Sequence, residues 1–390
     1  MRAGRKQIGI LTAGGDCPGL NAGIRGTVKA ANRLGCDVVG FRRGFEGLVD
    51  PVTFMPLDTD NTFGIIDRGG TILGSTNQGR FSARAGGDER LALDPELIGG
   101  VKQTISQLSL DGLICIGGDG SLAVAQQFHE QGIPIVGVPK PIDNDISATA
   151  FSFGFDSAVA CATDAMDRLH TTAVSHERIM VLEVMGRHSG WIALHAGIAG
   201  AASVILIPEI KWTWENVCQK IQERDTRGKR FSLVVVAEGA ELPEGGLVTR
   251  QETTAREQVK LGGIGPVVAK ELDRRLKRET RVVILGHLQR GGPPTNFDRA
   301  LATQFGAHAM RLVIEEKFGQ MVAYDPPEIR AVPILDAIDK VKQVEPNSAA
   351  VIAARTLGVS FGEYPPGTSP LMLSLTERAA RDAVPVEHDV

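Results

Sequence analysis

The sequence predicts an α/β protein made of two doubly wound, mainly parallel α/β domains, with a functional site in the cleft between them. Apolar runs of strand length alternate with helix-like stretches along most of the chain, which is typical of parallel sheets covered by helices. A strand, a GGD turn and a helix follow one another twice, with the turns at residues 14–16 and 117–119. Charged residues gather where apolar runs end, and ligands of open parallel sheets bind at that edge.

The predicted strands are short runs rich in isoleucine, valine and leucine, because these residues suit buried strands. They are residues 8–12, 38–41, 113–116, 133–138, 179–183, 204–207, 232–237 and 282–285. The stretches between them predict a helix ending near residue 32, then 122–131, 158–173, a loop and helix over 185–200, 214–225, 259–278 and 300–316. Residues 68–90 are rich in Gly, Ser and Arg with weak periodicity, which indicates a functional loop.

Shifts in composition predict the domain boundaries. The Ser-, Thr- and Gly-rich stretch 147–157 indicates a first boundary, and the Pro/Gly run near 291–294 indicates a second crossing. We therefore expect one domain of residues 1–155 together with about 292–345, a second of residues 156–291, and a C-terminal extension over 346–390.

Composition excludes several classes of protein. The chain has 390 residues and a net charge of −4, which argues against nucleic acid as a general partner. No apolar run approaches the ~18–20 residues of a membrane span, and the N-terminal apolar stretch is too short for a secretory signal. Five cysteines without C-x-x-C spacing indicate reduced, buried thiols. We expect a soluble, cytoplasmic protein.

The run from residue 113 to 145 carries the strongest chemical signal. It reads as a buried strand, a GGDGS turn at 117–121, a helix, a second buried strand and a loop with Lys140, Asp143 and Asp145. A glycine turn before a helix predicts a phosphate site, because free N–H groups and the positive helix end point at the ligand. Asp119 suits Mg²⁺ or its bound water in that turn, although a helix N-cap explains it equally well.

The loop after the next strand predicts the base. Asp143 and Asp145 flank Asn144, so a simple turn explains them as well. In the functional interpretation Asp143 takes a proton from a hydroxyl group opposite the donor turn. The spacing alone predicts a phosphotransferase and leaves the acceptor open.

Cations at the ends of strands indicate a small polyanionic substrate, since arginine forks match phosphate oxygens. Each of them, taken singly, is equally explained as an ordinary surface residue. They are Arg178, Arg187, Arg281, His287 and Arg290.

A set of motifs resembles the bacterial-type 6-phosphofructokinase family. In order these are GGDCPGLNAGIRG, RGGTILG, GGDGS, PKPIDND, SHERI, EVMGRHSGW, VAEG and GHLQRGG, and the likeness runs from about residue 7 to 315. The resemblance implies transfer of a phosphoryl group to the 1-hydroxyl of fructose 6-phosphate with Mg²⁺. It also implies a homo-oligomer, a tetramer or at least a dimer, in which Arg178 and Arg281 are lent to a neighbour's site.

The resemblance assigns roles to matching positions. Asp143 is the base, Asp119 binds the metal, and Arg187 contacts both the sugar phosphate and the transferring group. The donor would contact Gly15, Asn77, Gln78, Arg80, Gly118, Asp119, Gly120 and Ser121. The sugar phosphate would contact Pro141, Asp143, Asp145, Arg178, Met185, Gly186, Arg187, Glu238, Arg281, His287, Leu288, Gln289 and Arg290.

Departures from the family pattern bear on the donor. Gly120 resembles ATP users, because an aspartate there would collide with the α-phosphate, whereas Lys140 resembles pyrophosphate-type and mixed groups. We give Gly120 more weight and expect ATP. Pro141 replaces a usual threonine, and Asn77-Gln78 replaces an Arg-containing pair, for which Arg80 or Arg84 is the expected substitute.

Three other functions stay open. The nearest is a pyrophosphate-dependent fructose 6-phosphate 1-phosphotransferase. GGDG turns also occur in NAD and lipid kinases, although PIDND and GHLQRGG argue against that class. A sugar-phosphate sensor without catalysis is the last, and it would be indifferent to loss of Asp143.

Overall fold

The computed structural model describes residues 4–76, 79–81, 91–249 and 261–363, and it contains two sheets. The strands of the larger sheet are β1 (Gln7–Thr12), β2 (Asp37–Phe41), β3 (Phe54–Leu57), β4 (Leu110–Gly117), β5 (Ile135–Pro139), β10 (Gln320–Asp325) and β11 (Glu328–Pro333). Those of the smaller sheet are β6 (Ile179–Val184), β7 (Val204–Leu206), β8 (Ser232–Ala237) and β9 (Thr280–Ile284).

Both sheets are mainly parallel, which confirms the predicted fold class. The larger has the order β11-β10-β5-β4-β1-β2-β3, with antiparallel pairing only at β2–β3 and β10–β11 among the described strands. The smaller has the order β7-β8-β6-β9 and is parallel throughout. The chain runs outward from β1 through β2 and β3 and returns at β4, so β1 and β4 flank a switch point where ligands of such sheets bind.

Helices cover the sheets. They are α1 (Leu20–Arg33), α2 (Pro95–Gln107), α3 (Asp119–Glu130), α4 (Phe155–His176), α5 (Trp191–Ala199), α6 (Trp214–Thr226), α7 (Ile264–Leu276), α8 (Asn296–Ile314), α9 (Ile334–Ile338) and α10 (Ala349–Thr356). One continuous apolar core includes strands of both sheets, and residues of α4 such as Phe155, Ala158 and Met166 belong to it. The two sheets therefore share part of their core.

One predicted helix begins later than expected. The prediction was 259–278, and the structure has α7 over Ile264–Leu276. Gly263 lies before it with φ 94°, and the carboxylate of Glu183 accepts hydrogen bonds from the N–H groups of Gly263 and Gly265. The start of α7 is therefore set by this helix cap, which the hydrophobic periodicity of the sequence does not reveal. Residues 250–260 lie outside the described part of the chain.

Other structural expectations have mixed outcomes. All five cysteines are free thiols; four are buried, and Cys161 is partly exposed. No helix among the described residues is long and apolar enough to cross a membrane. The cytoplasmic location and the domain boundaries stay predictions, and residues 364–390 of the extension are not described.

Helices α1 and α8 cross at very short distance. A Cβ added at Gly26 would overlap the backbone oxygen of Thr303 and lie 3.0 Å from its Cα, and one added at Gly306 would overlap the backbone oxygen of Gly23. Since backbone cannot move aside as a flexible side chain can, both contacts require glycine.

We expect Gly26→Ala to destabilise the fold by about 1–3 kcal/mol, the usual cost of overpacking. Gly99→Ala in α2 is the matched control, because a Cβ there meets nothing within 4 Å. The control gains helix propensity and is expected to raise the melting temperature slightly. Thermal unfolding of both variants checks this, and equal stability of the two would contradict the proposed close packing.

Candidate active site

Two glycine turns lie side by side at the carboxyl ends of β1 and β4. Thr12 pairs with Ile116 in parallel register, and the Ala13 N–H donates to the Ile116 carbonyl at 2.9 Å. A Cβ added at Gly14 would lie 3.2 Å from Ser121 Oγ, so the first turn contacts the start of α3. The repeated strand–GGD–helix unit thus builds the two halves of one loop cluster.

The second turn leaves the start of α3 available to an anion. Gly118 is the N-cap of α3, and the first helical bond runs from the Leu122 N–H to the Gly118 carbonyl at 2.9 Å. The first N–H groups of an α-helix point out of its N-terminal end, and the positive end of the helix dipole adds to their field. A Cβ at Gly120 would meet nothing within 4 Å, so space is open there.

Lys140 closes the floor of this cluster. It is 3% exposed, and its ammonium donates to the carbonyl of Gly15. Its backbone N–H donates to Gly117 at 3.1 Å, while the Cys17 thiol donates to its carbonyl at 3.3 Å. Burial lowers the pKa of Lys140, because a charged ammonium is desolvated there.

The PIDND turn faces the second glycine turn. β4 and β5 are parallel neighbours, with Gly117 opposite Pro139, and a Cβ at Gly118 would lie 3.9 Å from Pro141 Cβ. Asp145 feels both Asp143 and Asp119 electrostatically. The predicted base and the predicted metal ligand therefore share one cleft.

Burial shapes the protonation of these acids. It raises the pKa of Asp143, and the charges of Arg290, His188, Lys140 and Arg187 oppose the rise. Asp143 Oδ1 is buried without a hydrogen-bond partner among the described residues. Such an oxygen is an acceptor left open to a substrate hydroxyl.

The pKa of Asp145 is raised as well. Burial, then repulsion from Asp143 and Asp119, raises its pKa to about 7. Its Oδ1 is also buried without a partner in the described part of the chain.

Loops after β6 and β8 bring the smaller sheet to the same cleft. A Cβ at Gly239 would overlap the Arg187 carbonyl, so the two loops touch through their backbones. The Ser189 hydroxyl donates to the Asp143 carbonyl at 3.1 Å. Burial and the charge of Asp143 raise the pKa of Glu238 to about 7, which puts this carboxylate near the base as well.

A short 3₁₀ helix, Gly286–Arg290, adds the last loop after β9. The Arg290 guanidinium donates to the Asp16 carbonyl at 3.1 Å and lies against Gly15, where it also faces Asp143. Arginine at this place joins the smaller sheet to the donor turn. The positive charge of Arg290 offsets part of the negative charge of the nearby carboxylates.

Similarity to known proteins identifies the family. Residues 7–313 match the family described as Phosphofructokinase. The chain belongs to the phosphofructokinase family. This confirms the resemblance inferred from the motifs.

Relatives of this phosphofructokinase carry two kinds of name. An "ATP-dependent 6-phosphofructokinase" of Chloroflexus aggregans is 49% identical over 363 residues, covering 93% of this chain and 99% of that protein. A "Pyrophosphate--fructose 6-phosphate 1-phosphotransferase" of Streptomyces coelicolor is 47% identical over 359 residues, covering 91% of this chain and 100% of that protein. The solved structure of Pichia pastoris phosphofructokinase in the T-state superposes with a TM-score of 0.75 at 32% identity. It covers 87% of this chain, which spans 38% of the Pichia chain.

Arg178 and Arg281 do not join the cleft within this phosphofructokinase chain. Their predicted place among the strand-end cations, at the edge where the loops converge, is wrong. Arg178 directly precedes β6, and Arg281 is the second residue of β9, so both lie at the amino ends of strands. Glu279 bridges them, with Arg178 Nε 2.8 Å from its carboxylate. An apolar run in the sequence locates a strand. It does not tell whether a charged residue beside the run lies at the same sheet edge as the loops that form the site.

Other predicted residues also differ in placement. Arg80, a proposed donor contact, is paired with Glu46 through its backbone N–H at 2.6 Å and its guanidinium at 2.9 Å, so the structure does not support that role. Gln289 is fully buried and donates to Gly286, whereas His287 and Leu288 are exposed on the same turn. Asn77, Gln78 and Arg84 lie outside the described residues.

Sequence reasoning missed three contributors to the phosphofructokinase site. His188 faces Asp143 electrostatically, Ser189 bonds to its backbone, and Lys342 contacts Asn144 at 3.1 Å. His188 and Ser189 stand inside the quoted EVMGRHSGW motif, which was the available signal. Nothing in the local pattern around Lys342 indicates a role.

The pKa of Asp145 makes stability depend on pH. The pKa of Asp145 is about 7 in the folded chain, whereas the ordinary value is 3.8. Between these two pH values the folded chain keeps a proton that the unfolded chain has released. This site therefore stabilises the fold at low pH, and the contribution is lost as pH rises to about 7. We expect Asp145→Asn to raise the melting temperature more at pH 8 than at pH 5. Asp60→Asn on an exposed turn is the control, and an equal effect of Asp145→Asn at both pH values would contradict the shift.

Proposed function

We propose that this phosphofructokinase transfers the γ-phosphoryl group of ATP to the 1-hydroxyl of fructose 6-phosphate. The single observation that carries the proposal is the shared cleft of the α3 glycine turn and the PIDND turn. One side offers backbone donors to a polyphosphate, and the other offers the open Asp143 oxygen to a hydroxyl group. The product would be fructose 1,6-bisphosphate, a step of glycolysis.

Asp143 is the proposed base. Phosphoryl transfer depends on positioning and electrostatics more than on a strong nucleophile, so an acceptor at the right place suffices. Burial raises the pKa of Asp143 and improves its basicity, while Arg187 and Arg290 keep the ionised form accessible. Arg187 is the proposed cation for charge on the transferring group.

Mg²⁺ is the proposed metal, held by Asp119 with Asp145 close to it. No group of three or more His, Cys, Asp or Glu side chains suited to a metal occurs among the described residues. Mg²⁺ in phosphotransferases needs only one or two carboxylates, with waters and substrate phosphates completing its shell. The partnerless Asp145 oxygen and the repulsion between Asp145 and Asp119 fit such an ion. When bound, it would neutralise phosphate charge.

The sugar phosphate is proposed to lie on the loops of the smaller sheet. Glu238 and the Met185–Gly186 backbone would bind sugar hydroxyls, and His287 with Arg290 would bind the 6-phosphate. We propose that Arg178 and Arg281 serve the site of a neighbouring subunit, which makes the enzyme a homo-oligomer. Their place at the opposite end of the sheet supports this assignment.

The donor depends on two residues with opposite indications. The open space at Gly120 suits ATP, because nothing there would meet an α-phosphate. The buried Lys140 ammonium beside Gly15 suits a short pyrophosphate, and one relative carries a pyrophosphate-dependent name. We favour ATP. The flexible side chain of Lys140 can move aside for the donor, whereas an aspartate at position 120 would block the α-phosphate and this chain has glycine there.

Asp143→Asn tests the base. The amide cannot accept the proton but keeps the shape, so we expect kcat to fall by about 100- to 10,000-fold. The KM for fructose 6-phosphate is expected to stay within about threefold. Steady-state kinetics with ATP measure both, with Asp60→Asn as the control. Turnover at the wild-type rate would instead support a binding protein or another base.

Gly120→Asp tests the donor pocket. A carboxylate in the open space would repel and obstruct the α-phosphate, so we expect kcat/KM for ATP to fall by on the order of 100-fold. Gly99→Asp, at a helical glycine with equally free space, is the control. Purified wild-type protein is assayed with ATP and with pyrophosphate in parallel. Strict use of pyrophosphate by the wild type would overturn the choice of ATP.

A further inference from the structure

A short segment beyond the matched family range crosses between the two sheets. We call residues 341–344 the strap; it follows α9 and precedes α10. Val341 forms an antiparallel bridge with Ile146, and the Lys342 N–H donates to the Asp145 carbonyl at 2.8 Å. The strap therefore pairs directly with the turn that carries the proposed base.

The Lys342 ammonium holds the same turn from below. It donates to the Asn144 side-chain oxygen at 3.1 Å and to the carbonyls of Thr149 and Ala150, each at 2.9 Å. An ammonium has three donors, so these acceptors satisfy it. Asn144 stands between the two acids in a left-handed conformation, φ 52°, which this side-chain bond helps to fix.

The strap is tied to the smaller sheet as well. The Trp191 indole N–H donates to the Lys342 carbonyl at 2.9 Å, and the Lys342 ammonium lies 5.6 Å from the ring centroid. Gln343 donates to the His188 carbonyl at 3.2 Å, and the Val344 N–H donates to Glu209 at 2.8 Å. Glu209 also accepts the Gly190 N–H at 2.9 Å, so the loop after β6 is held by the same segment.

Keeping the Lys342 ammonium charged at this buried position costs free energy. Burial lowers its pKa to about 8, and the charge of Asp145 opposes the shift only in part. His195 on α5 also faces it, and the charge of Lys342 lowers the pKa of that histidine. A desolvated ammonium without a direct carboxylate partner is retained where its geometry matters.

We propose that Lys342 is a positioning residue for phosphoryl transfer: through the strap, it holds the turn 143–145 in register with the loop 185–190. The base then keeps its distance from the bound hydroxyl group. This inference rests on the proposed function.

Lys342→Met tests the idea, because it keeps the stem and removes the ammonium. Misplacement of a catalytic group by about 1 Å can cost on the order of 100-fold. We expect kcat to fall by about 10- to 100-fold while the KM for fructose 6-phosphate changes by less than about threefold. Lys342→Arg keeps the charge and donors and is expected to recover at least half of the lost kcat on a logarithmic scale. Lys340→Met, on an exposed neighbour, is the matched control.

Melting temperatures separate positioning from folding. A folded Lys342→Met protein with wild-type kcat would overturn the inference, and so would an Arg variant as slow as the Met variant. If Lys342→Met fails to fold, Lys342→Arg and Trp191→Phe decide the matter, since the latter removes the indole N–H that bonds to the strap carbonyl and keeps an aromatic ring. That variant should lower kcat severalfold with KM kept, and an unchanged kcat would count against the strap. A wild-type protein that does not phosphorylate fructose 6-phosphate would contradict the proposed function rather than this inference.

Discussion

Crowding of carboxylates in one cleft is the constraint on which the site depends. Asp119, Asp143, Asp145 and Glu238 come from both sheets. Burial raises the pKa values of the last three, and repulsion from neighbouring carboxylates raises those of Asp145 and Glu238 further. Such a cluster tolerates ionisation only when cations stand close. Arg290 faces two of these acids, which explains why a guanidinium from the smaller sheet reaches the donor turn. A metal and phosphates bound there would change this balance, which links ligand binding to protonation.

The parallel register of the strands brings these groups to the same sheet edges. β1, β4 and β5 are neighbours, so their carboxyl ends bring Gly15, the α3 turn and Asp143 to one edge. β6 and β8 are neighbours in the other sheet, and Gly239 lets their loops touch through the backbone. Ser189 joins the two edges through the Asp143 carbonyl. Each loop needs only a few correct residues, because the sheets supply the rest.

The sequence predicted much of this fold because buried parallel strands are readable as apolar runs. It did not predict β10, whose buried apolar run is only Met321–Ala323, or β11, most of whose residues are exposed. It also did not predict the start of α7, which a distant glutamate caps. The base and donor turns were found because their glycines and acids stand together in the chain. Lys342 was missed because its partners, Asn144 and Thr149, are nearly 200 residues away. Contacts of that separation leave no local pattern.

The same geometry keeps Arg178 and Arg281 out of the chain's own site. Arg178 and Met185 stand at opposite ends of β6, and a strand rising about 3.3 Å per residue separates them by roughly 20 Å. An arginine side chain cannot cover that span, so Arg178 cannot reach a phosphate bound near Asp143 of its own chain. Glu279 pairs with both Arg178 and Arg281 at the amino ends of β6 and β9. Both arginines therefore lie away from the chain's own site, and the loops at the carboxyl ends of the strands supply the cations that face Asp143.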